Sequence, residues 1–182
     1  MTKSSNWEST IKPILVLTVS SLVASLLLAL VNSVTAPVIE ANQKAATLVA
    51  YVEVLPSVSD ATELEEVTDY TTAGITGAVR APDGSIAVQA SESGYNGGMV
   101  NVIVGFDTAG TMTGIHVDAS SQTSGIGTNV ALPDYLAQFD GLTADANIAK
   151  GQGYDAVTGA TYSTDALFAA INDCINCYNE LA

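Results

Sequence analysis

The segment Asp155-Ala156-Val157-Thr158-Gly159-Ala160-Thr161-Tyr162-Ser163-Thr164-Asp165 joins a hydroxyl-rich, glycine-containing loop to a run of apolar residues at helical spacing. Ala166, Leu167, Ala170, Ile171, Cys174 and Tyr178 recur at i, i+4-type intervals, which predicts a closing helix from about Ser163 to Asn179. The residues at its mouth have two physical readings. Free backbone N–H groups and the positive end of the helix dipole favour a phosphate, with Gly159 allowing close approach and Thr161, Ser163 and Thr164 supplying hydroxyls. Alternatively, Ser163 or Thr164 is an ordinary N-cap ahead of Asp165. Spacing alone leaves both open.

Upstream, period-two alternation places Val100, Val102, Val104 and Phe106 on one face of a strand and Met99, Asn101 and Ile103 on the other. After the Asp107-Thr108-Ala109-Gly110 turn, Ile115 and Val117 are expected to point one way, and Met112, His116 and Asp118 the other. Pro82-Asp83-Gly84 separates two further strand-like runs, near Gly74–Arg80 and Ile86–Ala90, as in a hairpin. A Gly/Ser/Thr-rich loop, Ala119 to Asn129, leads into a short helix around Pro133 to Phe139. The class is α+β, a small twisted antiparallel sheet packed with helices.

Ahead of that domain, an uncharged stretch lies between Lys12 and Glu40, and its apolar centre is long enough to cross a hydrocarbon core of about 30 Å as a helix. Hydroxyls at Thr18, Ser20, Ser21 and Ser25 are tolerable there because each can bond back to its own helix. The competing reading is a signal peptide cut after Val34-Thr35-Ala36. A retained anchor is preferred, since the apolar run exceeds the roughly 7–15 residues of a signal core and Pro37 would follow the cut. Lys3 and Lys12 precede the span, which predicts a cytoplasmic N-terminus. The expected layout is residues 1–12 cytoplasmic, 13–34 transmembrane, 35–73 a juxtamembrane helix ending before Pro56 plus an acidic linker, and 74–182 the outer domain.

Composition removes other classes. The 182 residues carry a net charge of −14, with five Lys+Arg against nineteen Asp+Glu, so there is no basic surface for nucleic acid. One His and two Cys cannot build a zinc site of the usual His or Cys sets. Cys174 and Cys177 sit at i, i+3; a disulfide or a redox or cluster-ligand role competes there with core packing, and packing of Cys174 is the preferred view. His116 is either near the site or a plain strand residue. Tyr95 and Tyr162 either border a bound ligand or are ordinary packing aromatics.

Thr158-Gly159-Ala160-Thr161-Tyr162-Ser163 resembles the [Ser/Thr]-Gly-Ala-Thr-x-[Ser/Thr] motif of the FMN-binding domain family. Gly94-Tyr95-Asn96-Gly97-Gly98-Met99 resembles that family's Gly-Tyr strand entry, and Gln122-Thr123-Ser124-Gly125-Ile126-Gly127 its Glu-Thr-Pro-Gly-Leu-Gly loop, with Gln122 in place of the acid and Ser124 in place of proline. The resemblance implies FMN joined through its phosphate to Thr161, by a flavin transferase using FAD as donor. It further implies cofactor contacts from Thr158, Gly159, Ala160, Tyr162, Ser163, Thr164, Thr123, Gly125, Gly127 and Tyr95. The anchor-plus-domain layout is similar to that of G subunits of Rnf complexes, which pass electrons between ferredoxin and NAD and move Na+ or H+. That implies an electron carrier rather than a self-contained enzyme, an outer-side flavin domain on a single-pass anchor in the cell membrane, and membrane and redox subunits as partners. The alternatives are the C subunit of the sodium-pumping NADH:quinone oxidoreductase, an FMN-domain sensor or accessory module, and an extracytoplasmic flavin reductase.

Overall fold

The computed structural model describes residues 7–145 and 147–182; the N-terminal segment that includes Lys3 lies outside the described residues. The chain divides into a unit ending at Ala46 and a compact unit Thr47–Ala182. The first is helical. After a π-turn at Trp7–Ile11, α1 runs Lys12–Val54 with Pro37 inside it. Among the described residues, α1 is the one helix long and apolar enough to cross a membrane. Its hydroxyls bond back to the preceding turn, Ser20 Oγ to the Leu17 carbonyl at 2.9 Å and Ser21 Oγ to that of Thr18 at 3.0 Å. This removes the cost of a bare hydroxyl in lipid. No helix boundary falls at Val34: the Leu-rich sequence before Pro37 and the Ala-containing sequence after it keep the helix continuous, and proline costs one backbone bond.

The second unit is built on one antiparallel sheet in the order β1-β2-β3-β4-β5, with β1 Glu65–Glu66, β2 Ile75–Arg80, β3 Ile86–Ser93, β4 Met99–Phe106 and β5 Met112–Asp118. The expected hairpin at Pro82-Asp83-Gly84 joins β2 to β3. The acidic stretch expected to be linker supplies the edge strand β1, opposite Arg80 and Val79. Short helices Pro133–Leu136 (α2) and Ala137–Phe139 (3-10) precede the closing helix α3, Thr161–Leu181.

Both faces of the sheet are covered. On one, Val88, Val100, Val102, Val104 and Phe106 meet Leu167, Ile171, Cys174 and Ile175 of α3. Each of these fully buried aliphatic side chains contributes on the order of 1.5–3 kcal/mol relative to exposure. On the other, Ala87, Ile103 and Val79 meet Ala50, Tyr51, Val54 and Leu55 at the C-terminal end of α1. The compact unit therefore begins at Thr47, ahead of the expected boundary at 74.

Met112 differs from expectation. It lies in the core on the α3 side, with Ile115 and Val117 packed against the same cluster, instead of facing away with His116. The cause is a β-bulge: Gly105 pairs with Gly114 but Phe106 with Met112, so Thr113 is an extra residue that reverses the alternation. Thr113 Oγ1 donates to the Val54 carbonyl at 2.6 Å, tying the bulge to the end of α1.

Both cysteines are free and buried, and the Cys174 thiol contacts the Val88 carbonyl at 3.4 Å. Burial pushes the Cys177 thiol up to about 11, reinforced by Glu180, and raises that of Cys174 well above the ordinary range. In the native protein, an aromatic disulfide reagent at about pH 8 is expected to react at least ~100-fold more slowly than after denaturation, because thiolate is scarce and access closed. Rapid native labelling of either thiol would contradict this placement.

Asp173 on α3 has its carboxyl raised above the ordinary value, first by burial and then by the neighbouring Glu92 carboxylate. A carboxyl raised on folding contributes stability that is full below its unfolded pKa, near 4, and is lost as pH climbs through the folded value. Asp173→Asn is therefore expected to raise the melting temperature by roughly 1–3 °C at pH 7 and to change nothing near pH 3. A melt series across that range checks the sign.

Candidate functional site

The loop–helix junction lies beside the turn before β4. Ala160 is the N-cap residue of α3 and has no capping side chain; Thr161 is the first helical residue. The first bond of the ladder runs from the Thr164 N–H to the Ala160 carbonyl at 2.9 Å. The N–H groups of Thr161, Tyr162 and Ser163 thus lie outside the helical ladder, and no acidic side chain stands in the first turn. Gly159 precedes the cap at φ +80° with open space around it, a conformation that a side chain would strain.

A cleft of about 330 Å³ opens over this helix end. One wall is Gly159, Ala160, Thr161, Tyr162 and Ser163; the other is Tyr95, Thr123, Ile126 and Gly127. Its volume falls at the low end of the range, roughly 300–1,000 Å³, typical of small-molecule sites. Tyr95 and Tyr162 are 57% and 67% exposed, with ring centroids 6.1 Å apart and tilted by 48°. No charged side chain lines the cleft. A phosphate entering it would meet only the helix dipole, backbone N–H groups and hydroxyls.

The four Ser and Thr hydroxyls of residues 158–164 are not equivalent. Ser163 is 2% exposed and its Oγ donates to Gln122 Oε1 at 2.8 Å. Thr164 is fully buried and its Oγ1 accepts the Val157 N–H at 3.2 Å. Thr158 is exposed but does not line the cleft. Thr161 is both exposed and part of the cleft wall. Neither Ser163 nor Thr164 is the N-cap, so the capping alternative gives way to a helix that starts two residues earlier than expected.

The sequence pattern of the FMN-binding domain family matches residues 94–176, which contain both walls of this cleft. Along nearly its whole length, 97% of this chain and 95% of the relative, the chain is 30% identical to the G subunit of the Na+-translocating ferredoxin:NAD+ oxidoreductase complex of Acetobacterium woodii. The chain belongs to the G-subunit family of ion-translocating oxidoreductase complexes. Two further G subunits match over shorter stretches. The one from Methanosarcina acetivorans is 33% identical over 43% of this chain and 44% of its own length. The one from Shewanella piezotolerans is 31% identical over 57% and 53%.

In this G-type protein the cleft brings together Thr161, Gly159, Ala160, Tyr162, Ser163, Thr123, Gly127 and Tyr95 of the expected contact residues. It does not include Thr158, Thr164 or Gly125. Gly125 instead shapes the loop at φ +72°, where its N–H donates to Thr128 Oγ1 at 2.9 Å. Two residues were not foreseen as part of the site. Ile126 supplies an apolar wall and is 47% exposed. Gln122, which stands where the family pattern has an acid, is buried behind the cleft; only its departure from that pattern marked it in the sequence. His116 lies elsewhere, with Nδ1 3.1 Å from the Glu53 carboxylate.

The residues present fit FMN. The uncapped start of α3 suits the phosphate, and Tyr95, Ile126 and Tyr162 offer apolar and aromatic surface to a planar ring.

Proposed function

We propose that this chain is the membrane-anchored electron-transfer subunit of an Rnf-type complex and carries FMN as a phosphoester on Thr161, facing the outer side of the membrane. One observation supports the attachment point above all: of the four Ser and Thr hydroxyls between 158 and 164, that of Thr161 alone is both exposed and in the cleft, at a helix start free of acids and capping side chains. The orientation rests on Lys12 immediately ahead of the apolar helix. The anchor, single-pass, spans about residues 13–34, with the flavin domain beyond it. Maturation draws on a flavin transferase, and the partners are the other membrane and redox subunits of the complex.

FMN, when bound, supplies the reversible electron uptake and release. The chain supplies position. The N–H groups of the first turn of α3 neutralise phosphate charge without a lysine or arginine, and the tether at Thr161 keeps the cofactor from diluting into the outer medium. Tyr95 and Tyr162, exposed beside the cleft, place aromatic surface where partners approach.

The test is the mass of the full chain coproduced with a flavin transferase in a membrane-targeted host. The expected result is an increase equal to FMN less one water. Fully loaded protein without that increase would overturn the covalent assignment.

A further inference from the structure

We propose that Gln122 is the positioning residue of the flavin attachment site: its carboxamide clamps the Tyr95 wall to the first turn of α3 and holds the Ser163 hydroxyl away from the incoming nucleotide. The inference rests on Thr161 being the attachment point.

Gln122 is 6% exposed, and its side chain joins two segments distant from it in sequence, the Tyr95–Gly98 turn and the start of α3. Oε1 accepts the Tyr95 N–H at 3.1 Å and the Ser163 hydroxyl at 2.8 Å, while Nε2 donates to the Gly98 carbonyl at 2.6 Å. The orientation of the amide is fixed by its partners, because a backbone N–H can only donate and a carbonyl can only accept. The fit is tight. A Cβ on Gly127 would stand 2.6 Å from Ser163 Oγ and 2.8 Å from Gln122 Cβ, and one on Gly98 would stand 2.8 Å from Nε2. Gln122 touches both walls of the cleft but does not line it, so it acts through Tyr95 and Ser163.

Two consequences follow for attachment. In the transfer, Thr161 Oγ bonds to the flavin-side phosphorus of FAD, the phosphoanhydride bond breaks, AMP leaves and the hydroxyl proton is released. That geometry needs the Thr161 turn and the Tyr95 wall held in register, which the clamp provides. The clamp also commits the Ser163 proton, leaving Thr161 as the free aliphatic hydroxyl in the first turn of α3.

A carboxylate keeps the two accepted bonds but has no donor for the Gly98 carbonyl; a protonated carboxyl makes all three. Among the residues lining the clefts on either side of Tyr95, the titratable groups are the phenols of Tyr95 and Tyr162, so no other carboxyl titrates there. Gln122→Glu therefore turns the clamp into a pH-dependent one, whereas the wild type has none.

The experiment compares full-length wild type, Gln122→Glu, Gln122→Ala and Thr161→Val, each flavinylated by purified transferase and FAD from about pH 5 to about pH 8, with loading followed by intact mass and the modified residue located by peptide fragmentation. Each rate is taken relative to wild type at the same pH. Gln122→Ala is expected to load roughly 10- to 100-fold more slowly at every pH. Gln122→Glu is expected to match wild type at the acid end and to fall between wild type and Gln122→Ala at the alkaline end, where the bond to the Gly98 carbonyl is lost. The within-sample pH change separates positioning from misfolding, and it decides the matter should the alanine variant not fold. A flat Gln122→Glu ratio, or wild-type loading of folded Gln122→Ala, would overturn the proposal while leaving Thr161 in place. Loading of Thr161→Val equal to wild type would instead remove the attachment assignment itself.

Discussion

Thr161→Val is expected to abolish covalent flavin while leaving the fold intact. Valine has nearly the shape of threonine but no hydroxyl, and Thr161 is an exposed residue in the first turn of α3. Its replacement touches no buried contact, so stability should stay within about 0.5 kcal/mol of wild type. The loss falls on a single bond. Without Oγ position 161 offers no nucleophile for phosphorus, and the neighbouring Ser and Thr hydroxyls cannot substitute: Ser163 is held by Gln122, Thr164 by the Val157 N–H, and Thr158 lies outside the cleft. Intact mass and in-gel flavin fluorescence should fall from full loading to background, with an unchanged melting temperature. Thr158→Val is the informative contrast and is expected to keep the modification at the wild-type rate; Ser163→Ala, which removes the Gln122 bond to α3, is expected to keep it on Thr161 but to load more slowly. Flavin persisting on Thr161→Val, at any residue, would show that hydroxyl access does not select the site.

The parts of this fold legible in sequence are those where burial repeats with a fixed period. Val100, Val102, Val104 and Phe106 alternate because one face of β4 meets α3, and the α3 apolar positions recur because one stripe meets the sheet. The period carries no information where contacts are non-local. Met112 faces the core because Thr113 bulges out to the Val54 carbonyl, a residue 59 positions away. The edge strand β1 is two exposed glutamates, with no alternation to betray it. The first turn of α3 escaped because the apolar stripe begins only at Ala166, whereas the helix begins at Thr161.

The site was legible differently. Its three segments were visible as motifs, and the structure adds why they belong together: Gly98, Tyr95 and Ser163 converge on one buried amide. In sequence, Gln122 reads as a departure from the family acid. Its donor is needed only because the Gly98 carbonyl lies opposite, a fact that no spacing encodes.

The largest stability effect is expected from Gly105→Ala. Gly105 and Gly114 face each other across β4 and β5 on the side of the sheet covered by the end of α1. A Cβ built on Gly105 would collide with the Val54 carbonyl oxygen and stand 2.6 Å from Thr113 Oγ1. The colliding atom is backbone, which has no rotamer by which to escape. Relief requires the end of α1 to lift from the sheet, weakening the Thr113–Val54 hydrogen bond and opening the packing of Val54 and Leu55, which are 1% and 0% exposed. Overpacking of this kind costs typically 1–3 kcal/mol, and the added loss of a buried hydrogen bond brings the expected total to about 3 kcal/mol. That corresponds to a fall of roughly 10 °C in melting temperature for a unit of this size. Gly97→Ala provides the control on the same sheet-turn scaffold, since nothing lies within 4 Å of its added Cβ, although its φ of +76° still carries a backbone strain of about 1 kcal/mol. Equal destabilisation by the two substitutions would mean that the seat of the α1 end on the sheet is not fixed by the absence of a side chain at 105. A cost at least twice as large at Gly105 is the expected result, and it would locate that seat in the pair of facing glycines.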